Sequence, residues 1–450
     1  MSALALKLYS QLMWLAQPLL RRKLIRRGRQ EPGYLAAMEE RFGSYTQPAE
    51  ISSELVWVHA VSLGEARTAA ILLKAMRAQT PRLRILLTHG TATGRAAGLG
   101  LLQPGDVQVW QPWDSPTAVA RFFSHFQPRL GLLMETEIWP NLVTAATLRA
   151  MPLVLVNGRL SEPSMKKALR MASLSRPAYG ALSAVYAQTE DDAHRFRQLG
   201  ARVAGVFGNL KFDATPDAGQ LAHGKAWRRA LTQPVLMFAS SRDGEEDEFF
   251  KQISAVAQGL HTPGGTTTVA SPLFEATWTG GFKVLIVPRH PQRFNDVQAL
   301  AEQHGLRVSR RSEWAVGPAD SGEAMRADVW LGDSLGEMAL YYGLSDVALL
   351  GGSFAPLGGQ NLIEAAACGC PVVMGKHTFN FAEAADMAES AGAARRVANL
   401  SAAVQTAVRL LSDTQSQANA VSASLAFAAR NRGATAQTLS ALQVFLPQTA

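Results

Sequence analysis

Carboxylates follow an apolar run that predicts a buried strand, and their type and spacing are suited to acid–base chemistry. The run begins at Leu55 and leads into His59-Ala-Val-Ser62-Leu-Gly-Glu65. A carboxylate just past a strand could take the proton from a hydroxyl group, a role typically worth about 10²–10⁴-fold in rate. Ser62-x-x-Glu65 is also typical of a capping box that begins a helix, and the same tetrapeptide recurs at 334–337. Spacing alone leaves both roles open for Glu65.

Two further carboxylates, Glu135 and Glu137, follow the apolar run that ends at Met134. They could hold hydroxyl groups of an acceptor or position a base. They could equally favour the positive end of the helix predicted to begin near Asn141. The sequence does not separate these alternatives.

A glycine-rich stretch from Asp346 to Phe381 predicts a strand, a loop and a helix in one unit. The strand ends at Gly351, and Gly358-Gly359 lead into Asn361, a residue type that caps helices well. Unpaired N–H groups in such a loop, at the positive end of a helix, stabilise an anion. The pattern fits neither an ATPase P-loop nor a dinucleotide fingerprint. The alternative is a glycine-rich turn that only reverses the chain.

Basic residues follow other predicted strands. Arg289 and His290 lie in Pro-Arg-His-Pro-Gln-Arg, and arginine is suited to bidentate phosphate contacts. Lys211 and the loop around Ser241 could likewise face a negatively charged donor. The alternatives are a solvated basic turn and ordinary linker and cap chemistry.

These candidate residues are distributed over two series of apolar strands that alternate with helices. The alternation predicts an α/β fold of mainly parallel strands. A polar stretch after residue 210 separates the series, so we expect domains at 31–210 and 211–450. Residues 261–281 interrupt the second series with glycine and threonine, which predicts a surface insertion.

The composition indicates a globular protein with a reducing environment. With 47% hydrophobic and 18% charged residues, the 450-residue chain can bury sizeable cores, and its net charge is +8. The two cysteines, Cys368 and Cys370, lie beside an apolar strand and fit reduced core thiols. We find neither metal-ligand spacing nor a nucleophile elbow, so no metal or cofactor is expected.

Residues 1–30 predict an interfacial helix with a basic flank. Seven basic residues and no acidic one precede Glu31, which suggests an anionic partner. Polar interruptions argue against a spanning helix. The alternative is a helix docked onto the protein's own core. The apolar side of the predicted helix is formed by Leu4, Leu8, Leu12, Leu15 and Leu19.

Seven motifs, taken in order, resemble the 3-deoxy-D-manno-octulosonic acid (Kdo) transferases of lipopolysaccharide synthesis. The motifs are HAVSLGE, ETEIWPN, NGRLSE, GNLKFD, ASSRDGEE, PRHPQR and GGSFAPLGGQNLIEA. The resemblance covers nearly the whole chain. It implies a GT-B fold, in which two Rossmann-like domains face each other across a cleft, and an inverting transfer of Kdo from CMP-Kdo to a lipid A precursor. It also implies attachment to the cytoplasmic face of the inner membrane.

The resemblance assigns roles to residues at matching positions. It makes Glu65 the catalytic base, and it implies an acceptor site at Gly64, Glu135 and Glu137. The chain departs from the family pattern at Gly158, near Arg242 and at Gln360. The implied donor site comprises Lys211, Ser241, Arg289, His290, Ser353, Gly358, Gly359, Asn361, Glu364 and Asn380.

Two other functions remain open at this point. A nucleotide-sugar epimerase can share the two-domain architecture, but it acts on a soluble substrate. A non-enzymatic anionic-lipid-binding protein would explain the basic terminus, but it leaves the carboxylates and the glycine loop without a role. Nucleic acid is the weaker partner, because the basic residues are not interleaved with aromatic ones.

Overall fold

The computed structural model describes residues 3–49, 55–257 and 281–446, which form two compact units. The first unit comprises Met1–Asp213 and Asn431–Ala450, and the second comprises Ala214–Arg430. Apart from Gly281, the predicted insertion at 261–281 lies outside the described residues.

The first unit contains a parallel sheet of seven described strands in the order β3-β2-β1-β4-β5-β6-β7. The chain therefore places later strands on both sides of β1, and the direction of winding changes between β1 and β4. The strands are β1 (Leu55–His59), β2 (Arg84–His89), β3 (Val107–Trp110), β4 (Leu130–Met134), β5 (Leu153–Gly158), β6 (Ala184–Ala187) and β7 (Val203–Val206).

Helices cover both faces of this sheet. The central strands β1 and β4 are buried throughout, as expected where both faces are covered, whereas the edge strand β7 is only partly buried. Trp57 belongs to the core on one face, whereas Val56 and Val58 belong to the core on the other. The helices are α1 (Ala3–Leu15), α2 (Gln17–Gly28), α3 (Leu63–Gln79), α4 (Ala92–Leu99), α5 (Pro116–Phe126), α6 (Pro140–Leu148), α7 (Glu162–Arg170), α8 (Ala172–Gly180) and α9 (Glu190–Gln198).

The second unit repeats this architecture with seven described parallel strands in the order β10-β11-β9-β8-β12-β13-β14. Its winding changes direction between β8 and β12. The strands are β8 (Val235–Ser241), β9 (Lys283–Pro288), β10 (Val308–Arg310), β11 (Val329–Leu331), β12 (Val347–Leu350), β13 (Val372–Met374) and β14 (Ala394–Arg396).

The helices of the second unit also lie on both faces of its sheet. Two parallel α/β sheets confirm the predicted fold class. The helices are α10 (Ala218–Arg229), α11 (Glu246–Ala257), α12 (Phe294–Gln303), α13 (Gly322–Arg326), α14 (Met338–Leu344), α15 (Leu362–Cys368), α16 (Ala382–Ser390), α17 (Leu400–Ser412) and α18 (Thr414–Arg430).

The last helix, α19 (Ala434–Leu442), belongs to the first unit. The Asp213 carboxylate accepts hydrogen bonds from the N–H groups of Gly433 and Thr435 at 2.6 and 2.5 Å. Leu439 and Leu442 are buried in the core on one face of the first sheet. The sequence analysis extended the second domain to residue 450, whereas the structure returns the chain to the first sheet after Arg430.

The amino-terminal segment forms two helices, with α2 beginning at Gln17 and carrying Pro18 in its first turn. The side chains of Leu4, Leu8, Leu12, Leu15 and Leu19 are between 58% and 68% exposed. None of the described helices is long and apolar enough to cross a membrane.

Candidate functional site

The loops after β1 and β4 bring carboxylates together where the first sheet changes its winding direction. Ligands of open α/β sheets bind at this position, beyond the carboxyl ends of the strands. Glu65 follows β1, and Glu135 and Glu137 follow β4. Both of the latter lie close enough to Glu65 to raise its pKa. The predicted base and two predicted acceptor residues therefore share one site.

Glu65 lies in the first turn of α3, and it is part of a cap. Ser62 Oγ accepts a hydrogen bond from the N–H of Glu65 at 3.3 Å and donates one to Glu65 Oε1 at 3.0 Å. Glu65 Oε2 accepts a hydrogen bond from the N–H of Val61 at 2.8 Å. The capping interpretation is thus confirmed, and it holds the carboxylate in a defined position without excluding a role as base.

Burial raises the pKa of the half-buried Glu65 to about 7. The nearby Glu135 and Glu137 raise this pKa further, while the hydrogen bonds from Val61 and Ser62 oppose the shift. A general base works best when its pKa is near the working pH. Burial also raises the pKa of Glu137, and the hydrogen bond from Trp139 Nε1 opposes that shift.

Glu135 pairs with Lys211, whose Nζ lies 3.4 Å from Glu135 Oε1. Lys211 was predicted to bind the donor, but the structure places it in the first unit, beside an acceptor candidate. Glu135 has a left-handed backbone with φ of 61°, and so does Asn157 at the end of β5, with φ of 55°. Such conformations are uncommon for residues other than glycine and cluster at functional sites. Gly64 is exposed in the same turn as Glu65.

In the second unit, a carboxylate already occupies part of the glycine loop. Glu245 Oε2 accepts hydrogen bonds from the N–H of Gly352 at 2.8 Å and of Arg242 at 3.1 Å. Its Oε1 accepts hydrogen bonds from the N–H groups of Phe354 and Ala355, both at 3.2 Å. The loop does form the predicted anion-binding arrangement of backbone N–H groups. The first part of the loop, however, binds the carboxylate of Glu245, which is an anion of the protein itself.

The later part of this loop is shaped by Gly358 and Gly359, which have φ of 90° and 73°. The Asn380 side chain donates hydrogen bonds to the carbonyls of Leu357 at 3.1 Å and Gly359 at 3.4 Å. A Cβ at Gly358 would lie 2.4 Å from Asn380 Nδ2. Only glycine fits there, and Asn380 holds the loop in this shape.

Two predicted donor residues, Ser241 and Ser353, are buried and engaged inside the fold. Ser241 Oγ donates to Glu246 Oε1 at 3.1 Å. Ser353 Oγ donates to the carbonyl of Leu350 at 2.5 Å and accepts from the N–H of Gly375 at 2.8 Å. Their hydroxyl groups hold the loops together.

Basic side chains lie at the ends of β8 and β9. Arg242 and Arg289 are close enough to His290 to lower its pKa, although desolvation contributes more to that shift. No described carboxylate forms an ion pair with the half-buried Arg242. Arg293, the last residue of the same basic motif, is instead paired with Asp243 and Glu246.

Asn361 and Glu364 begin the short helix α15. Asn361 Oδ1 accepts a hydrogen bond from the N–H of Ile363 at 3.1 Å, which confirms it as the helix cap. Glu364 is half-buried in the first turn of this helix. Across the ranges that the structure describes, no three His, Cys, Asp or Glu side chains are grouped as metal ligands.

Comparison with known proteins identifies the family. A family model described as 3-deoxy-D-manno-octulosonic-acid transferase (kdotransferase) matches residues 36–214. A 3-deoxy-D-manno-octulosonic acid transferase of Bordetella pertussis is 42% identical over 450 residues, covering 98% of each chain. The chain belongs to the 3-deoxy-D-manno-octulosonic acid transferase family.

Another transferase of this family, from Haemophilus influenzae, is 30% identical and covers 97% of this chain and 98% of its own length. Among solved structures, a UDP-GlcNAc 2-epimerase from Neisseria meningitidis matches with a TM-score of 0.54. It is 15% identical and covers 86% of this chain and 99% of that one. This similarity supports the fold.

Sequence patterns gave Glu245 no role, and they considered Arg242 only as part of the loop around Ser241 that could face a negatively charged donor. The role of Glu245 was not visible because three of its four partners are backbone N–H groups more than 100 residues away along the chain. Its only local signal is a pair of adjacent glutamates after a strand, which is also typical of a helix start. Arg242 follows β8 at the second point of reversed winding, so topology could have indicated it once the strand order was known.

Proposed function

We propose that this protein transfers Kdo from CMP-Kdo to a lipid A precursor, with inversion at the anomeric carbon. Membership of the transferase family supports the reaction class. The observation that carries the proposal is Glu65, a half-buried carboxylate with a raised pKa where the first sheet changes direction. No other described carboxylate combines this position with this cap.

In the proposed reaction, Glu65 takes the proton from a sugar hydroxyl of the acceptor while the hydroxyl oxygen attacks the anomeric carbon of Kdo. The bond between that carbon and the phosphate oxygen of CMP breaks, and CMP leaves with the electron pair. Glu135, held by Lys211, and Glu137 would accept hydrogen bonds from neighbouring hydroxyl groups of the acceptor.

The second unit would bind the donor. Arg289 and Arg242 supply positive charge for the CMP phosphate, which gains negative charge as the bond breaks. The pKa of His290 is lowered, chiefly by desolvation, so its imidazole would donate a hydrogen bond to the phosphate instead. Gly358 and Gly359 allow close approach of a ligand to the backbone. Asn361, Glu364 and Asn380 remain predicted contacts of this site.

Attachment to a membrane surface is part of the proposal. The exposed leucine side chains of α1 and α2 would enter the headgroup region, and basic side chains next to them would attract anionic lipids. The charges complement the anionic cytoplasmic leaflet of the inner membrane, where the acceptor would be reached. The exposed basic side chains are those of Lys7, Arg22, Lys23, Arg26, Arg27 and Arg29.

The decisive experiment measures CMP release from CMP-Kdo with and without a lipid A precursor. We expect release that depends on the acceptor, and Glu65→Gln should lower it by about 10²–10⁴-fold. Binding of CMP to the variant, measured by calorimetry, should be retained. Glu162→Gln is a matched control, because Glu162 also lies in the first turn of a helix but is exposed.

Substantial turnover by the Glu65→Gln variant would refute Glu65 as the base. Absence of acceptor-dependent release from the unmodified protein would refute the proposed function itself. The similarity to the epimerase rests on fold alone. Conversion of a UDP-sugar without any lipid acceptor would be the result that favours that alternative.

A further inference from the structure

Helix α1 is docked onto the first unit by the side that carries Tyr9 and Ser10, together with the half-buried Leu6 and Met13. Ser10 Oγ donates a hydrogen bond to Asn141 Oδ1 at 2.7 Å, and the Tyr9 hydroxyl is hydrogen-bonded to Asp114. Just beyond α1, Gln17 donates to Ser115 Oγ at 3.4 Å. An amphipathic helix of a soluble domain normally buries its apolar stripe. Here the leucine side faces away from the protein.

Asp114 is the centre of this docking interface, and it is 2% exposed. Its two carboxylate oxygens accept hydrogen bonds from the N–H groups of Asn141 at 3.0 Å and Leu142 at 2.8 Å. The Asn141 side chain donates to the Asp114 carbonyl at 2.6 Å. Asp114 therefore binds the beginning of α6 and the Tyr9 hydroxyl of α1 at the same time.

The beginning of α6 is the end of the acceptor loop. Glu135 and Glu137 lie only a few residues before Asn141, and the intervening Trp139 and Pro140 restrict the backbone between them. Trp139 Nε1 also donates to Glu137 Oε2 at 2.8 Å. A shift of the α6 start would thus move the carboxylates that surround Glu65.

We propose that Tyr9, Ser10 and Asp114 are positioning residues. Through them, the position of α1 on a lipid surface determines the position of the acceptor carboxylates Glu135 and Glu137. The inference rests on the proposed function, since it assumes an acceptor whose acyl chains lie in that surface. The leucine side chains of α1 face the lipid, and the hydroxyl groups of Tyr9 and Ser10 fix the position of the loop between β4 and α6.

Tyr9 and Ser10 contact the first unit through hydrogen bonds. Apolar packing is non-directional, whereas hydrogen bonds lose strength steeply when their angles change. Two polar side chains from α1, together with Asp114 just before α5, can therefore define the position of the α6 start closely. The leucine side, which needs no fixed geometry, remains available for lipid.

The test uses the full chain with the double substitution Tyr9→Phe and Ser10→Ala, which removes two hydroxyl groups and keeps the leucine side. Loss of two hydrogen bonds should lower kcat/KM for the lipid acceptor by about 5- to 30-fold. The KM for CMP-Kdo and co-sedimentation with phosphatidylglycerol vesicles should stay unchanged. Gln11→Ala, an exposed substitution on the same helix, is the control.

A second variant distinguishes the loss of the hydroxyl groups from a general disturbance of the helix. Tyr9→Phe combined with Ser10→Thr retains one hydroxyl group and should recover part of the lost kcat/KM. Equal acceptor kinetics in the unmodified protein and the double variant would overturn the inference, as would an equal loss for donor and acceptor. Absence of Kdo transfer by the unmodified protein would instead refute the proposed function.

Discussion

Single residues at the ends of β1 and β4 perform structural and chemical roles together. Glu65 completes the cap of α3, and the same two hydrogen bonds aim its carboxylate. Because burial and two nearby glutamates disfavour its charged form, the carboxyl titrates near neutral pH. A residue that only capped a helix at the surface would keep a pKa near its usual value.

This electrostatic arrangement predicts the pH dependence of transfer. Glu65 is active as a base when it is deprotonated, so kcat/KM should rise with pH and level off above about 7. Glu135→Gln removes one charge that raises the pKa of Glu65, and the inflection should therefore move to lower pH. Initial rates between about pH 5.5 and 8.5 test this.

The position of the inflection, and not the absolute rate, is the result that counts, because Glu135 is also a proposed acceptor contact. Glu248→Gln serves as control, since this exposed residue lies on α11 in the second unit. An unchanged or higher inflection in the Glu135→Gln variant would contradict the electrostatic account.

Arg242 offers a second prediction at the level of single residues. A charge-assisted hydrogen bond contributes about 1.5–3 kcal/mol, so Arg242→Gln should weaken CMP binding by about 10- to 100-fold. Binding of cytidine, which lacks the phosphate, should change little. Calorimetry with both ligands measures the difference. Arg395→Gln, an exposed arginine on β14, should leave both affinities unchanged. Equal weakening for CMP and cytidine would refute a phosphate contact.

At the scale of elements, the loops after β8 and β12 form one structure held by Glu245. Four backbone N–H groups from the two loops converge on its carboxylate. Gly351 lies so close to β8 that a Cβ would be 2.1 Å from the carbonyl oxygen of Ser240. The two loops on which the donor site is proposed therefore depend on each other.

Replacement of Glu245 by alanine should destabilise the second unit and weaken CMP binding. It would leave buried N–H groups without an acceptor, at a cost of about 1–3 kcal/mol for each group that finds no water. Thermal unfolding and calorimetry with CMP measure the two effects. Glu248→Ala removes an exposed glutamate of the neighbouring helix and should change neither. A Glu245→Ala variant with normal stability and CMP affinity would contradict this role.

The strands, the cap of α3 and the glycine loop were predictable because their signals are local. Apolar runs, Ser62-x-x-Glu65 and the paired glycines each act within a few residues. The Lys211–Glu135 pair joins residues 76 apart in sequence, and its placement depends on the order of the strands. Sequence patterns also placed the leucines on one side of α1 without showing that the side with Tyr9 and Ser10 is the docked one.

For the whole molecule, the chain leaves the first unit at Asp213 and returns to it after Arg430. The Tyr186 hydroxyl donates to the carbonyl of Ala441 at 2.9 Å, in addition to the contacts of Asp213. The first core is therefore completed only by the last helix of the chain. A single domain boundary placed along the sequence does not reveal that the end of the chain belongs to the first unit.

A fragment of residues 1–213 should consequently aggregate or unfold at low temperature, because apolar side chains that α19 covers would be exposed. Joining residues 431–450 to this fragment by a flexible linker should restore a soluble, cooperatively unfolding domain. Size-exclusion chromatography and circular dichroism distinguish the outcomes. Equal behaviour of the two fragments would show that α19 is dispensable for the first unit.

The carboxylate of Glu245 has a further consequence for ligand affinity. Because it holds the start of the glycine loop in shape while no donor is present, binding need not order that segment. Fixing the backbone of one residue costs about 1–2 kcal/mol of conformational entropy. In this loop that entropy is lost when the protein folds, and not when the ligand binds. A nucleotide would then meet a preorganised surface, and CMP should bind with a small entropic penalty.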